Sequence, residues 1–542
     1  MAKIPRPFFF RALFFFWYRF ILKQLKNLVG IPKNINNTFG TQFKYQKYPS
    51  LAHRSDLNDL TLIFDVEGTL LRSPSLFPYF VLVAFEAGDL FRAIFLLLSY
   101  PLVCLVDDRM GIQIMVMICF FGVKAESFKA GRAVLPKFLL DNVGSEIFEV
   151  LSRGGKKVGV SRLPQVMVES FLREYLKIDF VVGRELKVFC GYYVGLMDPR
   201  NSKHARENVL EQNGCSHAIG ITTFNNILDH DLFSHCKEIY LVTKADKRGW
   251  QKLARDKYPG ALIFHDSRLA VGPTPLEGVA ILMWLPFSIF LAIIRIILTL
   301  SLPYSVSTPL LPFTGLRLTA SLPENWSQIS AKSGGRVYVC NHRTLLDPLY
   351  LSFVLKTKDL IAVTYSLSGL SEILAPIKTV RLTRKRDEDA SLMKELVKQG
   401  DVAVCPEGTT CREPYLLRFS PLFSEICDEI IPVAIDSRVS MFHGTTAGGF
   451  KWLDPVFFLM NPSPVYSVKL LQKVSPSSFT SGDEEDTRFQ VANHVQSQIG
   501  KALGFECTKL TRKDKYLLLA GNEGVVSDER SGNLSWWGWA SV

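Results

Sequence analysis

The run NHRTLLDP (341–348) places an imidazole, His342, at the end of an apolar stretch and a carboxylate, Asp347, five residues later. If a helix or turn begins between them the side chains meet. The carboxylate then holds one ring nitrogen and leaves the other free to take a proton from a substrate hydroxyl, the arrangement of an oriented general base. Taken alone, the spacing fits a surface or capping pair as well. Its neighbours favour the chemical reading. IKTVRLTRKR (377–386) ends a strand pattern with Arg381 and Arg384, cations suited to a phosphate monoester, although each also reads as a solvated or helix-pairing arginine. VCPEGTTCREP (404–414) then offers Glu407, Gly408 and Thr409 in a turn, with Arg412 close behind, and IIPVAI (430–435) follows as an apolar strand.

These residues need a scaffold that brings several strand ends together. RVYVC, LIAVTY, IKTVRL, DVAVCP and IIPVAI read as strands from about residue 304 onward, with helical connections such as DEDASLMKELVKQG (387–400), which makes 304–512 an α/β domain. An earlier alternation, TLIFDVEG (61–68), KKVGVS (156–161), FVVG (180–183), EIYLVT (238–243) and ALIFHD (261–266), predicts a second α/β domain over about 56–272. Its apolar insertion, 76–123, is broken by Glu86, Asp89, Arg92 and an Asp107-Asp108-Arg109 cluster. The uninterrupted pieces fall short of a spanning helix and read as membrane-embedded or interfacial helices rather than a buried cap. Between the domains, 273–303 is a hydrophobic membrane segment whose residues 279–302 carry Arg295 as their one charge, long enough to span, with Pro286 and Arg295 also suiting a re-entrant hairpin. The 513–542 tail reads as polar and disordered.

At 542 residues, 48% hydrophobic and 21% charged, the chain is too long for one core and too apolar for a disordered protein. The formal charge of +12 points to an anionic partner. Residues 1–55 contain no carboxylate and mix Lys3, Arg6, Arg11, Arg19, Lys23 and Lys26 with Phe, Trp and Leu, a basic aromatic arm for a membrane surface. No base-reading module accompanies that charge, so nucleic acid is excluded as a partner and membrane lipids are expected. Arg11 and Arg19 interrupt the apolar region and argue against a cleavable secretory signal; a mitochondrial presequence stays open. The ten cysteines are scattered without CxxC spacing, which predicts reduced thiols and no zinc site.

The order NHxxxxDP, basic strand end, PEGT, then IPVA-type strand resembles the four blocks of the glycerolipid acyltransferase family. Within it NHRTLLDPLY, YSLSGLSEILAPIKTVRLTR and CPEGTTCREPYLLRFSPLF resemble the land-plant sn-2 glycerol-3-phosphate acyltransferases, over most of the chain. The resemblance implies that His342 deprotonates a glycerol hydroxyl, that Asp347 orients it, and that the alkoxide attacks the thioester of an acyl-CoA. It implies no covalent acyl-enzyme, metal or bound cofactor. Glu407, Gly408 and Thr409 match the block that shapes the glycerol-phosphate pocket, and Arg381 resembles its phosphate-binding cation, with Arg384 beside it. Many relatives carry Arg directly after Glu-Gly-Thr, whereas this chain has Thr410; Arg412, two places on, is the candidate replacement.

FDVEGTLL (64–71) resembles the nucleophile loop DxDGT of haloacid-dehalogenase-type phosphatases. Asp65 matches the nucleophile, but the acid–base position holds Glu67, one methylene longer, where positioning matters. Ser161 fits the hydroxyl that hydrogen-bonds a phosphoryl group. The magnesium loop GDxxxD aligns with FNNILD, so Asn225 replaces its first Asp, Phe224 its Gly, and Asp229 remains. An amide is a poorer ligand for a hard dication, so the magnesium site is expected to be lost. Lys187 is the nearest candidate for the lysine of such sites.

The expected fold class is therefore α/β: a haloacid-dehalogenase-like domain and an acyltransferase-like domain with membrane-embedded helices. The expected function is a membrane-bound acyl-CoA:glycerol-3-phosphate acyltransferase making 2-acyl lysophosphatidate, at the endoplasmic reticulum with its site facing the cytosol. A lysophosphatidate acyltransferase, a bifunctional transferase–phosphatase releasing 2-monoacylglycerol, a silent lipid-binding scaffold and a mitochondrial location stay open. Acyl-chain preference and oligomeric state are not legible.

Overall fold

The computed structural model describes residues 44–54, 56–87, 90–198, 218–223, 231–324, 326, 335–365, 376–479 and 484–523, which fall into two α/β units. Strands of the N-terminal unit are β1 (Lys44–Lys47), β2 (Thr61–Asp65), β3 (Lys156–Pro164), β4 (Phe180–Phe189), β5 (Tyr192–Asp198), β6 (Ala218–Thr222) and β7 (Glu238–Leu241). They form one sheet, ordered β1-β7-β6-β2-β3-β4-β5 and parallel except for the β4/β5 pair. Central β2 is buried from Leu62 to Asp65, as a parallel strand covered on both faces requires, and its carboxyl end delivers Asp65. The last residues of the expected surface arm belong to this sheet: β1 pairs in register with β7, Lys44 opposite Glu238 and Lys47 opposite Leu241.

The apolar insertion forms three helices, α1 (Phe77–Ala87), α2 (Leu90–Leu105) and α3 (Asp108–Phe120). Helix α1 is a core helix rather than a membrane-embedded one, with Phe80 to Ala84 fully buried. Helix α2 differs. Phe91, Phe95, Leu98, Leu102 and Leu105, spaced at three and four residues, leave one apolar face exposed, and only the opposite face packs.

Residues Pro275–Ser301 form one continuous helix, α4, through Pro286, so the hairpin alternative is not adopted. Among the described residues it is the one helix long and apolar enough to cross a membrane, and Leu276, Met283, Phe287 and Phe290 are at least 66% exposed. Its single internal charge is turned inward. Buried Arg295 donates to the carbonyls of Leu459 (2.6 Å), Asn461 (2.6 Å), Pro462 (3.1 Å) and Thr314, and to Thr314 Oγ1 (3.0 Å).

The C-terminal unit contains β8 (Arg317–Ser321), β9 (Val337–Cys340), α5 (Asp347–Leu355), β10 (Ile361–Thr364), β11 (Lys378–Arg381), α6 (Arg386–Gln399), β12 (Val402–Val404), β13 (Tyr415–Leu416), β14 (Ile430–Arg438), β15 (Val465–Leu470), α7 (Glu484–Leu503), β16 (Glu506–Cys507) and α8 (Arg512–Ala520). The large sheet runs β11-β10-β12-β9-β14-β15-β8, with β14/β15 its one antiparallel pair; β13 and β16 pair separately. Val491, Val495 and Ile499 of α7 and Met393 and Leu396 of α6 pack with Val337, Val339 and Ile430 of the central strands. These are the one-face positions of amphipathic helices.

Two boundaries differ from expectation. ALIFHD is not a strand of the first unit: residues 262–271 belong to the second, where Asp266 accepts from the amides of Ala447 and Gly448, each at 3.0 Å. The expected polar tail begins with helix α8, because the Thr511 amide and hydroxyl both donate to Asp514 at 2.7 Å and the face of Lys515, Tyr516 and Leu519 is buried.

Arg295→Leu removes the donors from four carbonyls and a hydroxyl and is expected to cost about 2–4 kcal/mol. A lower thermal midpoint of the detergent-solubilised protein, partly restored by Arg295→Lys, checks this.

Candidate active site

Strand β9 is wholly buried and ends at Cys340, so the chain emerges from the sheet at Asn341 and His342. Asn341 clamps the neighbouring strand, donating to Ile435 O (2.9 Å) and accepting from Ile435 N (2.7 Å). Asp347 opens α5, with Pro348 in the first turn where its missing N–H is not needed. Within that turn His342 Nδ1 lies 2.7 Å from Asp347 Oδ2. The carboxylate is fully buried and also accepts from Arg343 N (2.7 Å), Thr344 N (3.1 Å) and the Tyr466 hydroxyl. Its rotamer is thereby held and Nδ1 is engaged by Asp347, while the ring also hydrogen-bonds the Cys405 side chain.

A second buried carboxylate holds the backbone of the base. Glu407 accepts from His342 N (2.7 Å) with one oxygen and from Leu417 N (2.9 Å) with the other, and burial pushes its pKa up to about 7. Glu407 thus works from behind the site. Gly408, at φ +65°, turns the chain in the left-handed region so that Thr409 and Thr410 face the cavity.

That cavity, about 280 Å³, has two characters. Leu345, Leu349, Phe353, Ile377, Leu382 and Leu459 make an apolar wall, joined by Ile296 and Leu300 from α4. His342, Gly408, Thr409, Lys451, Arg512 and Tyr516 make the polar end. Cys405 also lines it, and its Sγ and the ligand atoms of His342 and Asp347 lie within 4.8 Å of one another. Burial pulls the His342 pKa down, and its pairing with Cys405 and Asp347 pushes it up with the net direction upward; the Cys405 thiol is itself held well above its ordinary range, which leaves the Asp347 carboxylate as the anion that favours the imidazolium.

The expected arginines separate. Arg412 does not reach the cavity wall: its Nε donates to Thr445 Oγ1 (2.6 Å), its Nη1 to Ser267 O (2.8 Å), and its Nη2 faces Asp266 Oδ1 at 3.4 Å. Arg381 is exposed at the end of β11 and does not itself line the cavity, although its neighbours Thr379 and Leu382 do. Arg384, at φ +68°, sets its guanidinium 5.8 Å from the ring centroid of cavity-lining Tyr365. Lys451, Arg512 and Lys515 were not legible as site residues, since they lie 40 residues or more beyond the Glu-Gly-Thr turn in stretches with no motif of their own.

In the N-terminal unit Asp65 and Glu67 are both buried at the end of β2. Asp65 accepts from Gly68 N (2.9 Å). Glu67 reaches past it to Ser161, whose hydroxyl donates to Oε1, while Arg162 N donates to Oε2 (3.1 Å). Burial, and then the adjacent Asp65, push the Glu67 pKa up. The cation facing this pair is Lys247 rather than Lys187, which is exposed on β4. Burial lowers Lys247 to about 8 against the pull of Asp65 and Glu67, and its Nζ donates to Leu71 O (2.6 Å). The sequence clue is a lysine four residues past the run EIYLVT, on the short helix Lys244–Arg248. Asn225 and Asp229 lie outside the described residues.

A mostly parallel α/β sheet that ends in an oriented His–Asp base over a half-apolar cavity defines an acyltransferase unit, and residues 318–436 match the family described as Acyltransferase. Residues 61–242 match the glycerol-3-phosphate acyltransferase RAM2-like, HAD-like domain. Over 95% of its length the chain is 55% identical to "Probable glycerol-3-phosphate acyltransferase 2" of Arabidopsis thaliana, covering 98% of that protein. It is 54% identical to "Probable glycerol-3-phosphate acyltransferase 3" of the same plant, at the same coverages. "Glycerol-3-phosphate acyltransferase RAM2" of Petunia hybrida is 41% identical over 85% of this chain and 97% of its own. The chain belongs to the glycerol-3-phosphate acyltransferase family.

His342→Ala is expected to lower transfer by roughly 10²–10⁴-fold with the fold retained. A base must be neutral to act, so a raised His342 pKa places the acid limb of kcat/KM above the ordinary histidine value of about 6.5, with activity rising as pH rises through it. Asp347→Asn removes an anion that favours the imidazolium; it should lower the rate and move that limb to lower pH. A pH–rate profile of both proteins reads the sign.

Proposed function

We propose that the protein transfers the acyl group of an acyl-CoA to the sn-2 hydroxyl of glycerol-3-phosphate and releases 2-acyl lysophosphatidate with its phosphate intact. The observation that carries this reading is that His342 lines one cavity together with apolar residues such as Leu349, Phe353 and Leu382 and with the polar Thr409, Lys451 and Arg512. An acceptor hydroxyl in the polar end gives its proton to His342 Nε2 while the acyl chain lies along the leucines. The oxygen attacks the thioester carbonyl, the tetrahedral intermediate expels the CoA thiolate, and the imidazolium returns the proton to sulfur. Asp347 stabilises the imidazolium throughout and stays ionised. The sn-2 choice rests on the likeness of the NHRTLLDPLY and CPEGTTCREP stretches to the sn-2 enzymes.

Retention of the phosphate is supported by Glu67. Its carboxylate takes the Ser161 hydroxyl and the Arg162 amide, leaving those donors satisfied within the protein. Work at a membrane is supported by the exposed apolar length of α4, whose Ile296 and Leu300 reach the acyl wall. We place the enzyme at the endoplasmic reticulum with the site facing cytosolic acyl-CoA. Metal and bound cofactor have no part in the proposed step.

The test uses purified full-length protein with acyl-CoA and radiolabelled glycerol-3-phosphate, resolving lysophosphatidate from monoacylglycerol and sn-2 from sn-1 product, beside His342→Ala. Phosphorylated sn-2 product that disappears in the variant is expected. Magnesium-dependent release of phosphate overturns the claim about the N-terminal unit, and an absence of transfer with every acyl-CoA overturns the enzyme reading.

A further inference from the structure

The family pattern carries a cation directly after Glu-Gly-Thr, and this chain has Thr410 there. Arg412 does not replace it, because its guanidinium is turned toward Asp266, Ser267 and Thr445. The charge arrives from the end of the chain instead. Lys515 of α8, 6% exposed, places Nζ 2.5 Å from Thr410 O, 3.1 Å from Thr410 Oγ1 and 3.2 Å from Thr409 Oγ1. One helical turn earlier, Arg512 lines the cavity, its Cδ 3.9 Å from where a Cβ on Gly408 would stand. Lys451 comes from a third segment; its Nζ lies 2.6 Å from the Tyr516 hydroxyl and 4.9 Å from that ring's centroid, while the Arg512 guanidinium lies 4.7 Å from the same centroid.

Tyr516 therefore holds two cations against it, and all three residues line the cavity. The carboxylate that also lines it, Asp454, is paired with Arg268 at 2.7 Å. Burial and the positive charge of Arg384 depress the Arg512 pKa, so the guanidinium is held where its own charge is disfavoured. An anion in the cavity that both side chains line offsets the repulsion on Arg512 and takes charge-assisted hydrogen bonds, a planar fork from Arg512 and a point charge from Lys451.

We propose that Arg512 and Lys451 bind the phosphate monoester of the acyl acceptor, and that Lys515 is a positioning residue that holds the Glu-Gly-Thr-Thr turn against helix α8. The assignment deepens the acyl-transfer reading and rests on it. It moves phosphate recognition from the arginines near the sequence blocks to the last helix of the chain. Thr410 then needs no charge of its own, because the Lys515 ammonium is delivered to it from 105 residues away.

The experiment titrates the full-length protein calorimetrically with glycerol-3-phosphate in the absence of acyl donor, and separately with CoA, whose phosphates are the other source of the same chemistry. Arg512→Ala and Lys451→Met are each expected to weaken glycerol-3-phosphate binding by roughly 10- to 100-fold, with Arg512→Lys recovering part of the loss and CoA affinity unchanged. In turnover assays the same variants raise KM for glycerol-3-phosphate more than they lower kcat; Lys515→Met raises KM and lowers kcat together. Arg512→Gln, which keeps the stem and a donor, serves if the alanine variant does not fold. Glycerol-3-phosphate binding unchanged in the Arg512 and Lys451 variants overturns the assignment, and so does a loss confined to CoA. Wild-type protein that binds glycerol-3-phosphate through Arg512 yet releases no CoA thiol from acyl-CoA overturns the transfer reading and leaves the anion site standing.

Discussion

The buried carboxylate of Asp347 is the point on which the C-terminal unit turns. It takes the His342 ring, the amides of Arg343 and Thr344, and the Tyr466 hydroxyl from β15, so one side chain ties the end of β9, the start of α5 and a strand 119 residues away. A buried ionised group without such partners is very costly, and with them it fixes its surroundings. Glu407 repeats the device one strand over, satisfying the backbone of the base it supports. Two buried carboxylates thus set the direction of the imidazole before any substrate is present.

Preorganisation of this kind explains why the cavity need not be polar throughout. The base is aligned from the protein side, so the facing wall is free to be apolar and to accept a hydrocarbon chain. Helix α4 contributes to that wall, and Arg295 ties the helix to the carbonyls of Leu459, Asn461 and Pro462, close in sequence to β15. The helix with the long exposed apolar face and the helix that supplies Ile296 and Leu300 to the cavity wall are one and the same.

The N-terminal unit shows the same chemistry turned to a different end. Glu67 is one methylene longer than the aspartate of the phosphatase pattern, and that length carries its carboxylate onto Ser161 and Arg162. Lys247 faces the acidic pair, and the Ser161 hydroxyl and Arg162 amide are both taken up by Glu67 within the protein.

Much of this was legible in the sequence because it is local. Apolar runs marked β2, β3, β9, β10, β12 and β14, the five-residue spacing predicted the His342–Asp347 contact, and the Glu-Gly-Thr turn marked the loop beneath them, since strand burial and one helical turn are encoded within a few residues. Tertiary structure alone decided where each cation points. Arg412 sits beside the motif yet turns to Asp266, in a segment whose apolar pattern read as a strand of the other unit, whereas Lys515, in what read as a polar tail, and Arg512, the last residue of the expected domain, both reach the site. The reason is physical. A long charged side chain goes to the partner that compensates its burial, and when that partner is a hundred residues away neither periodicity nor spacing records the choice.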